Sequence, residues 1–156
     1  MNEPIPFSDI LARVGSEIGK SRWLKIDQAR IDAFAECTDD RQWIHVDPRR
    51  AAEGPYGKTV AHGLLIVSLI PHLSENVSLV PTGAVATLNY GINRVRFITP
   101  VPVASEIRDT IFLEAAQDRG DGHILLTHRH TIEVRGQVKP ACVVEMLRMF
   151  VTTPEL

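Results

Sequence analysis

The hydrophobic pattern of the chain is most distinctive between His62 and Leu73. Apolar residues in this segment occupy almost every side of a helix instead of one stripe; they are Leu64, Leu65, Ile66, Val67, Leu69, Ile70 and Leu73. A helix without a polar face must be covered on most sides by the rest of the protein. The pattern therefore predicts a long, buried central helix around which the other elements pack.

The second half of the chain changes to the alternating pattern of β-strands. Five segments have this character: AVATLNYG, INRVRFITPVPV, SEIRDTIFLEAAQD, HILLTHRHTIEVRG and KPACVVEMLRMFV. In the third segment Ile107, Ile111 and Leu113 share one parity, which predicts one buried face. Turn-forming clusters at 118–122 and 135–137 can join successive long strands. These features predict an antiparallel sheet.

The first half of the chain carries short helical patterns. We predict helices in residues 7–17, in QARIDAFAECT after the cap Asp27 and in PRRAAEG after the cap Asp47, with a brief strand in SRWLKID. Helices first and strands later are typical of an α+β fold. The predicted architecture is one domain over residues 1–156, in which a curved antiparallel sheet wraps the central helix.

Composition and charge narrow the function classes. The chain has 156 residues and a net charge of −2, without the basic stripe that phosphate backbones require, so we expect no nucleic-acid partner. Cys37 and Cys142 lack CxxC spacing, and no basic region precedes an apolar run at the N-terminus, which favours a reducing cytoplasm. The uncharged run 59–74 is too short to span a bilayer, so we expect no membrane partner.

A polar cluster directly before the apolar helix is the first candidate for chemistry. Asp40 and His45 lie on one predicted loop, and a carboxylate with an imidazole can hold one water and divide the acid and base roles. An apolar wall beside them would keep their pKa values near the working range. The alternative is that Asp40 only closes the loop and His45 is a half-buried structural histidine.

The start of the apolar helix is the second candidate. His62 and Gly63 stand where the first backbone N–H groups of a helix have no internal partner. A thioester oxygen could bind there, with the N–H of Gly63 as oxyanion donor, so His62 and Gly63 are candidate substrate-binding residues. The alternative is that Gly63 only permits close packing of the helix against the sheet.

Other polar residues offer weaker signals. Gln42 could orient a substrate amide or the catalytic water, or it could only satisfy the loop backbone. His128 and His130 share a strand face, but no cysteine or carboxylate joins them at the spacing of metal ligands. We therefore expect neither a metal nor an organic cofactor.

The segment TDDRQWIHVDPRRAA, followed by GPYGKTVAHGLLIVSL, resembles the signature of the MaoC-like, (R)-specific enoyl-CoA hydratases, and especially of their nodulation-protein-N-like branch. The resemblance continues through NYGINRVRFITPVPV and KPACVVE, so it covers most of the chain. It implies a hot-dog fold, in which an antiparallel sheet wraps a long helix. It also implies a homodimer whose sheets join edge to edge, with active sites near the interface.

The same resemblance implies roles for the candidate residues. Asp40 and His45 match the catalytic pair, Gln42 matches the amide position of the motif, and the backbone N–H of Gly63, after His62, matches the group that binds the thioester oxygen. The implied reaction is reversible syn addition of water to a trans-2-enoyl-CoA, giving an (R)-3-hydroxyacyl-CoA. The expected substrate partner is an acyl-CoA or an acyl-carrier-protein thioester.

Three residues depart from the family pattern. Asp39 stands where glycine is frequent, Gln42 where asparagine is common and Trp43 where proline is common. A second carboxylate turned inward beside Asp40 would raise its pKa, and we expect Trp43 to reshape the acyl pocket. Two other functions on the same scaffold remain as alternatives: a hot-dog thioesterase and a non-catalytic acyl-thioester binding protein.

Overall fold

The structure is a computed structural model that describes residues 3–153. The helices are all short: α1 (Phe7–Leu11), α2 (Gln28–Thr38), α3 (Trp43–Val46), α4 (Pro48–Ala52), α5 (Gly63–Ser68) and α6 (Ile70–Ser74). The strands are β1 (Ser16–Lys20), β2 (Leu24–Lys25), β3 (Ala84–Phe97), β4 (Glu106–Gly120), β5 (His123–Val134) and β6 (Cys142–Thr152). Helices precede the long strands, which agrees with the predicted α+β class.

All six strands belong to one antiparallel sheet. The strand order is β1-β4-β5-β6-β3, and β2 also pairs with β4. The predicted turn between β4 and β5 is present at residues 120–122, all three of which have positive φ. Ile107, Ile111 and Leu113 are fully buried on one face of β4, which confirms the predicted parity.

Helices α5 and α6 form the predicted buried centre of the fold. Ile66 and Ile70 pack with inward-facing residues of β4, β5 and β6 in the main hydrophobic cluster. The predicted single long helix is divided at Leu69, because Pro71 has no N–H to donate to the carbonyl four residues earlier. The sheet therefore wraps two consecutive helical segments. No helix within residues 3–153 has the length and apolar character needed to cross a bilayer.

Several predicted boundaries are wrong. The helix predicted over 7–17 covers only α1 and is followed by a turn in which Gly15 takes a positive φ of 83°, and the next residues form β1. The segments predicted as two strands, 84–91 and 92–103, form one strand, β3, which ends at Phe97, so residues 98–103 lie outside it. Register shifts beside Gly91 allow this long strand to stay paired with β6.

The predicted helix caps on both sides of the polar cluster are confirmed. The carboxylate of Asp27 accepts from the backbone N–H of Arg30 at 2.9 Å, at the start of α2. The carboxylate of Asp47 accepts from the backbone N–H of Arg50 at 3.0 Å, at the start of α4. These caps satisfy donors that a helix leaves unpaired, and they fix the segment between the two helices.

Buried polar side chains cross the inner face of the sheet. His130 of β5 donates from Nδ1 to a carboxylate oxygen of Asp109 on β4 at 2.7 Å, and both residues are almost completely buried. His128 follows on the same face, and burial lowers its pKa to about 3. Oδ1 of Asp109, Nε2 of His130 and both ring nitrogens of His128 have no hydrogen-bond partner within residues 3–153. Burying polar atoms without hydrogen-bond partners lowers the stability of the folded state.

Arg148 of β6 continues this polar row towards α6. It is 7% exposed and donates to the hydroxyls of Ser74 and Ser78 at 2.8 and 2.7 Å. Burial lowers the pKa of Arg148, and the carboxylate of Asp109 partly offsets that effect. Buried polar side chains therefore extend across the sheet from Asp109 on β4 to Arg148 on β6.

Replacing only one member of the Asp109–His130 pair should destabilise the protein strongly. Asp109→Leu or His130→Leu leaves a polar partner buried without its hydrogen bond, and we expect each to cost about 3 kcal/mol of unfolding free energy. The double variant should cost less than the sum of the two single changes, since no partner is then left unpaired. Urea denaturation measures all three values.

The exposed pair Glu106–Arg135, with N···O at 3.0 Å, supplies the control for that experiment. Glu106→Leu should change the unfolding free energy by less than about 1 kcal/mol, because exposed ion pairs contribute little. If the loss of unfolding free energy in the double variant equals the sum of the two single losses, the Asp109–His130 hydrogen bond does not contribute as proposed.

Candidate active site

Asp40 lies in the loop between α2 and α3. Helix α2 ends because Asp39 adopts a left-handed backbone conformation with φ 59°. The carboxylate of Asp39 pairs with Arg41 at 3.0 Å and faces solvent. The second carboxylate therefore does not turn inward beside Asp40, as considered from the sequence. Asp40 itself lines a cavity at the start of α5.

His45 lies in α3, a short helix within the segment predicted as a loop. Its side chain is 7% exposed, and Nδ1 lies 2.6 Å from the backbone oxygen of Val60. A carbonyl oxygen can only accept, so Nδ1 carries the proton and Nε2 keeps a free lone pair. The backbone oxygen of His45 accepts from Nε2 of Gln28 at 2.8 Å. Both the ring and the backbone of His45 are thus held in place.

The environment of His45 keeps its imidazole neutral. Burial lowers the pKa of His45, and neighbouring His62 lowers it further. The hydrogen bond to Val60 and the negative charge of Asp40 act in the opposite direction but do not reverse the shift. A neutral ring with an unprotonated Nε2 can accept a hydrogen bond or a proton.

A cavity of about 460 Å³ lies beside the start of α5. Four predicted site residues line it: Asp40, His45, His62 and Gly63. Most of the remaining wall is apolar and includes Ala61, Leu64, Ile66, Phe97, Ile98 and Val101. The site therefore joins a carboxylate and an imidazole to a space suited to a hydrophobic chain.

Gly63 is the first residue of α5, and it lies in close contact with the ring of Phe97. A Cβ atom at this position would lie 2.8 Å from the ring of Phe97. The absence of a side chain lets the ring of Phe97 approach the backbone, and Gly63 itself lines the cavity. The structure thus agrees with the packing alternative for Gly63 and places this residue at the cavity wall.

The structure places Gln42 and Trp43 away from the cavity wall. Gln42 is exposed at the N-cap position of α3, and its side chain makes no capping hydrogen bond. Trp43 packs against Gly54 and under the guanidinium of Arg50, which lies 4.5 Å from the ring centroid. Trp43 does not line this cavity, and an effect of Trp43 on the acyl pocket stays a prediction.

The donor atoms of the site are close enough to raise the question of a metal. A carboxylate oxygen of Asp40 and one ring nitrogen each of His45 and His62 lie within 4.8 Å of one another. The two rings are stacked, with centroids 3.7 Å apart and planes inclined by 25°. Imidazole lone pairs lie in the ring plane, so two nearly parallel rings cannot both direct one at the same ion. The arrangement suits a bound water better than a metal ion.

Three groups that hold the site were missed in the sequence. Gln28 bridges from α2 to His45, and its amide oxygen accepts from the hydroxyl of Thr59 at 2.5 Å. The carbonyl of Val60 fixes the tautomer of His45. A glutamine at the first position after a helix cap gives no signal of this kind. A backbone carbonyl gives none either.

A carboxylate and a neutral imidazole face an apolar cavity at the start of a helix that an antiparallel sheet wraps. This combination of fold and site is typical of one class of enzyme. Residues 9–134 match the model of the MaoC like domain. The chain belongs to the MaoC-like dehydratase family, which contains dehydratases and hydratases, and it has the hot-dog fold.

Relatives and a solved structure agree with this assignment. The chain is similar to 3-hydroxyacyl-thioester dehydratase Z of Mycobacterium tuberculosis, with 44% identity over 144 residues, covering 92% of this chain and 95% of that protein. It is also similar to Nodulation protein N of Rhizobium leguminosarum, with 42% identity over 140 residues and coverage of 88% and 86%. A structure described as a monoamine oxidase regulatory protein from Archaeoglobus has a TM-score of 0.78 at 22% identity and covers 98% of both chains.

The protonation state of His45 can be measured directly. We expect its ring to remain neutral at pH 6.5, with the proton on Nδ1, because burial lowers its pKa from the ordinary value of about 6.5. Nitrogen-15 NMR of the histidine rings as a function of pH reports both the tautomer and the titration. In urea-denatured protein the same residue should titrate near 6.5, and an unshifted midpoint in folded protein would contradict the assignment.

Proposed function

We propose that this protein adds water reversibly and in syn fashion to a trans-2-enoyl thioester, giving an (R)-3-hydroxyacyl thioester. The observation that carries the proposal is the convergence of Asp40 and His45 on one apolar cavity beside the N–H of Gly63. The 44% identity to a protein named as a 3-hydroxyacyl-thioester dehydratase supports the same chemistry. The preferred substrate is an acyl-CoA, with an acyl-carrier-protein thioester as the other possible carrier.

The first step is polarisation of the thioester carbonyl. In the proposed complex its oxygen accepts a hydrogen bond from the backbone N–H of Gly63, which lines the cavity. This bond draws electron density from C3, so C3 becomes electrophilic. As water attacks C3, negative charge develops on the thioester oxygen, and the same N–H stabilises it.

The second step is delivery of the water. A carboxylate oxygen of Asp40 lies within 4.8 Å of a ring nitrogen of His45, a separation that one water can bridge with two hydrogen bonds of about 2.8 Å. The free lone pair of His45 accepts a hydrogen bond from this water, and Asp40 takes its proton as hydroxide adds to C3. Asp40 then returns this proton to C2 from the same side, which gives syn addition and restores the carboxylate. The dehydration direction reverses these transfers.

The edge of the sheet supports a homodimer. Strand β3 pairs with β6 on one side and forms the outer edge of the sheet within residues 3–153. Large apolar side chains on this strand are about half exposed or more; they are Val85, Leu88, Tyr90 and Ile92. A long apolar edge strand is normally covered. We propose that a second copy of the chain pairs with β3.

Removal of either catalytic group should abolish most hydratase activity. We expect Asp40→Asn and His45→Gln to lower kcat/KM with crotonyl-CoA by about 10²- to 10⁴-fold, the usual contribution of a positioned acid or base. The loss of the enoyl-thioester absorbance measures the rate, and the same assay with longer enoyl chains defines the chain-length range.

Two matched variants serve as controls for the catalytic pair. Asp39→Asn changes a neighbouring exposed carboxylate, and His72→Gln changes a histidine that lines a separate surface cleft. Both should retain activity close to that of the wild type. Normal rates in folded Asp40→Asn and His45→Gln would contradict the proposed site. Release of free thiol with an unchanged enoyl group would instead indicate a thioesterase, and binding without turnover a non-catalytic protein.

A charge on β3 should disrupt the proposed dimer. Leu88 is 51% exposed on this strand, and Leu88→Glu would place two like charges near a shared edge, which is unfavourable. We expect the wild type to have twice the 17.3 kDa mass of one chain and the variant to have the monomer mass. Light scattering after size exclusion measures both. Val138→Glu, at a fully exposed position between β5 and β6, should remain a dimer.

A further inference from the structure

The side chain of His62 is held by packing and by contacts with two residues that line the cavity. It is the N-cap residue of α5, yet its side chain makes no capping hydrogen bond. The ring is 3% exposed and lies 5.0 Å from the ring of Phe34. Its orientation is therefore fixed by packing, and its contacts lead to the two groups of the catalytic pair.

The first contact is with His45. The two imidazole rings stack with centroids 3.7 Å apart and an angle of 25° between their planes. His45 is also held at Nδ1 by the carbonyl of Val60. A single hydrogen bond leaves a ring free to tilt about that bond, whereas a stacked neighbour limits the tilt. The face of His62 therefore fixes the direction in which Nε2 of His45 points.

The second contact is with Asp40. Nε2 of His62 lies 2.9 Å from the backbone oxygen of Asp40, and a carbonyl can only accept, so this nitrogen carries a proton and donates. Asp40 is exposed and belongs to the loop after α2. The hydrogen bond ties this loop position to a buried side chain. It therefore limits the movement of the Asp40 backbone relative to the cavity.

We propose that His62 is a positioning residue that sets the distance between Asp40 and His45 by contacting both. This inference rests on the proposed function and gives His62 a role different from the substrate-binding role predicted from the sequence. Histidine supplies a flat ring face and an edge N–H in one small side chain. Phenylalanine retains only the face. Glutamine retains only a donor, at nearly the same distance from the backbone.

The two contacts can be removed separately. His62→Phe keeps a ring against His45 but loses the donor to Asp40, and His62→Gln keeps the donor but loses the ring. We expect each variant to lower kcat with crotonyl-CoA by about 10- to 100-fold, because small displacements of reacting groups are costly. The dissociation constant for butyryl-CoA, a saturated analogue, should stay within about threefold of the wild type, since uniform binding is unaffected.

NMR gives a second measurement that does not depend on turnover. The carbonyl carbon-13 signal of Asp40 should shift in His62→Phe and stay near its wild-type position in His62→Gln. The ring nitrogen signals of His45 should shift in His62→Gln and change less in His62→Phe. A merely structural role for His62 would not give this crossed pattern. If the wild type lacks hydratase activity, the proposed function fails while these signals still test the positioning.

Three results would overturn the proposal. One is wild-type kcat in both folded variants. Another is a loss of butyryl-CoA affinity as large as the loss of kcat/KM, which would mean that His62 binds the substrate. The third is an equal shift of the Asp40 and His45 signals in both variants. Thermal unfolding of each variant establishes that the signals come from folded protein, and either variant alone still tests its own contact.

Discussion

The absence of a polar face on α5 and α6 is the constraint on which the rest of the structure depends. An apolar helix pair can be buried only if other elements cover it on most sides, and the long antiparallel strands provide that cover. The cavity lies beside the start of α5, where Gly63, Leu64 and Ile66 form part of its wall. The position of the site follows from the way the core is covered.

The chemistry of the site comes from elements that meet around this helix start. Helix α2 delivers Asp40 through its left-handed end, and α3 presents His45. The chain before α5 supplies the carbonyl of Val60, which determines which nitrogen of His45 carries the proton. Because His45 is buried while Asp40 is exposed, the two groups differ in solvation. Different environments are a common way to separate acid and base roles in one site.

Much of the fold could be predicted from the sequence because its signals are local. The all-round apolar pattern identified the central helix, and the alternation in β4 identified its buried face. The division at Leu69 was missed, although Pro71 marks it, because the hydrophobic pattern continues through the break. The length of β3 was missed because Gly91 is normally a strand breaker, and only pairing with β6 shows that the strand continues.

The candidate site was predictable where it depends on side-chain type and less so where it depends on distant contacts. Asp40 and His45 are separated by few residues, so their association is visible in the sequence. Gln28 and Thr59 are far from each other along the chain and meet only in the folded protein. Gln42 shows the converse, since a position within the same motif is exposed and outside the cavity wall.

The hydrogen bonds from Arg148 to Ser74 and Ser78 have a mechanical consequence for the opposite end of the helix pair. Apolar contacts are non-directional, so an apolar helix could shift along an apolar sheet face with little change in free energy. A guanidinium with two directed hydrogen bonds resists such sliding because displacement would break both in a medium with few substitute partners. The sheet thus anchors the end of α6 and keeps it in a fixed position along β6.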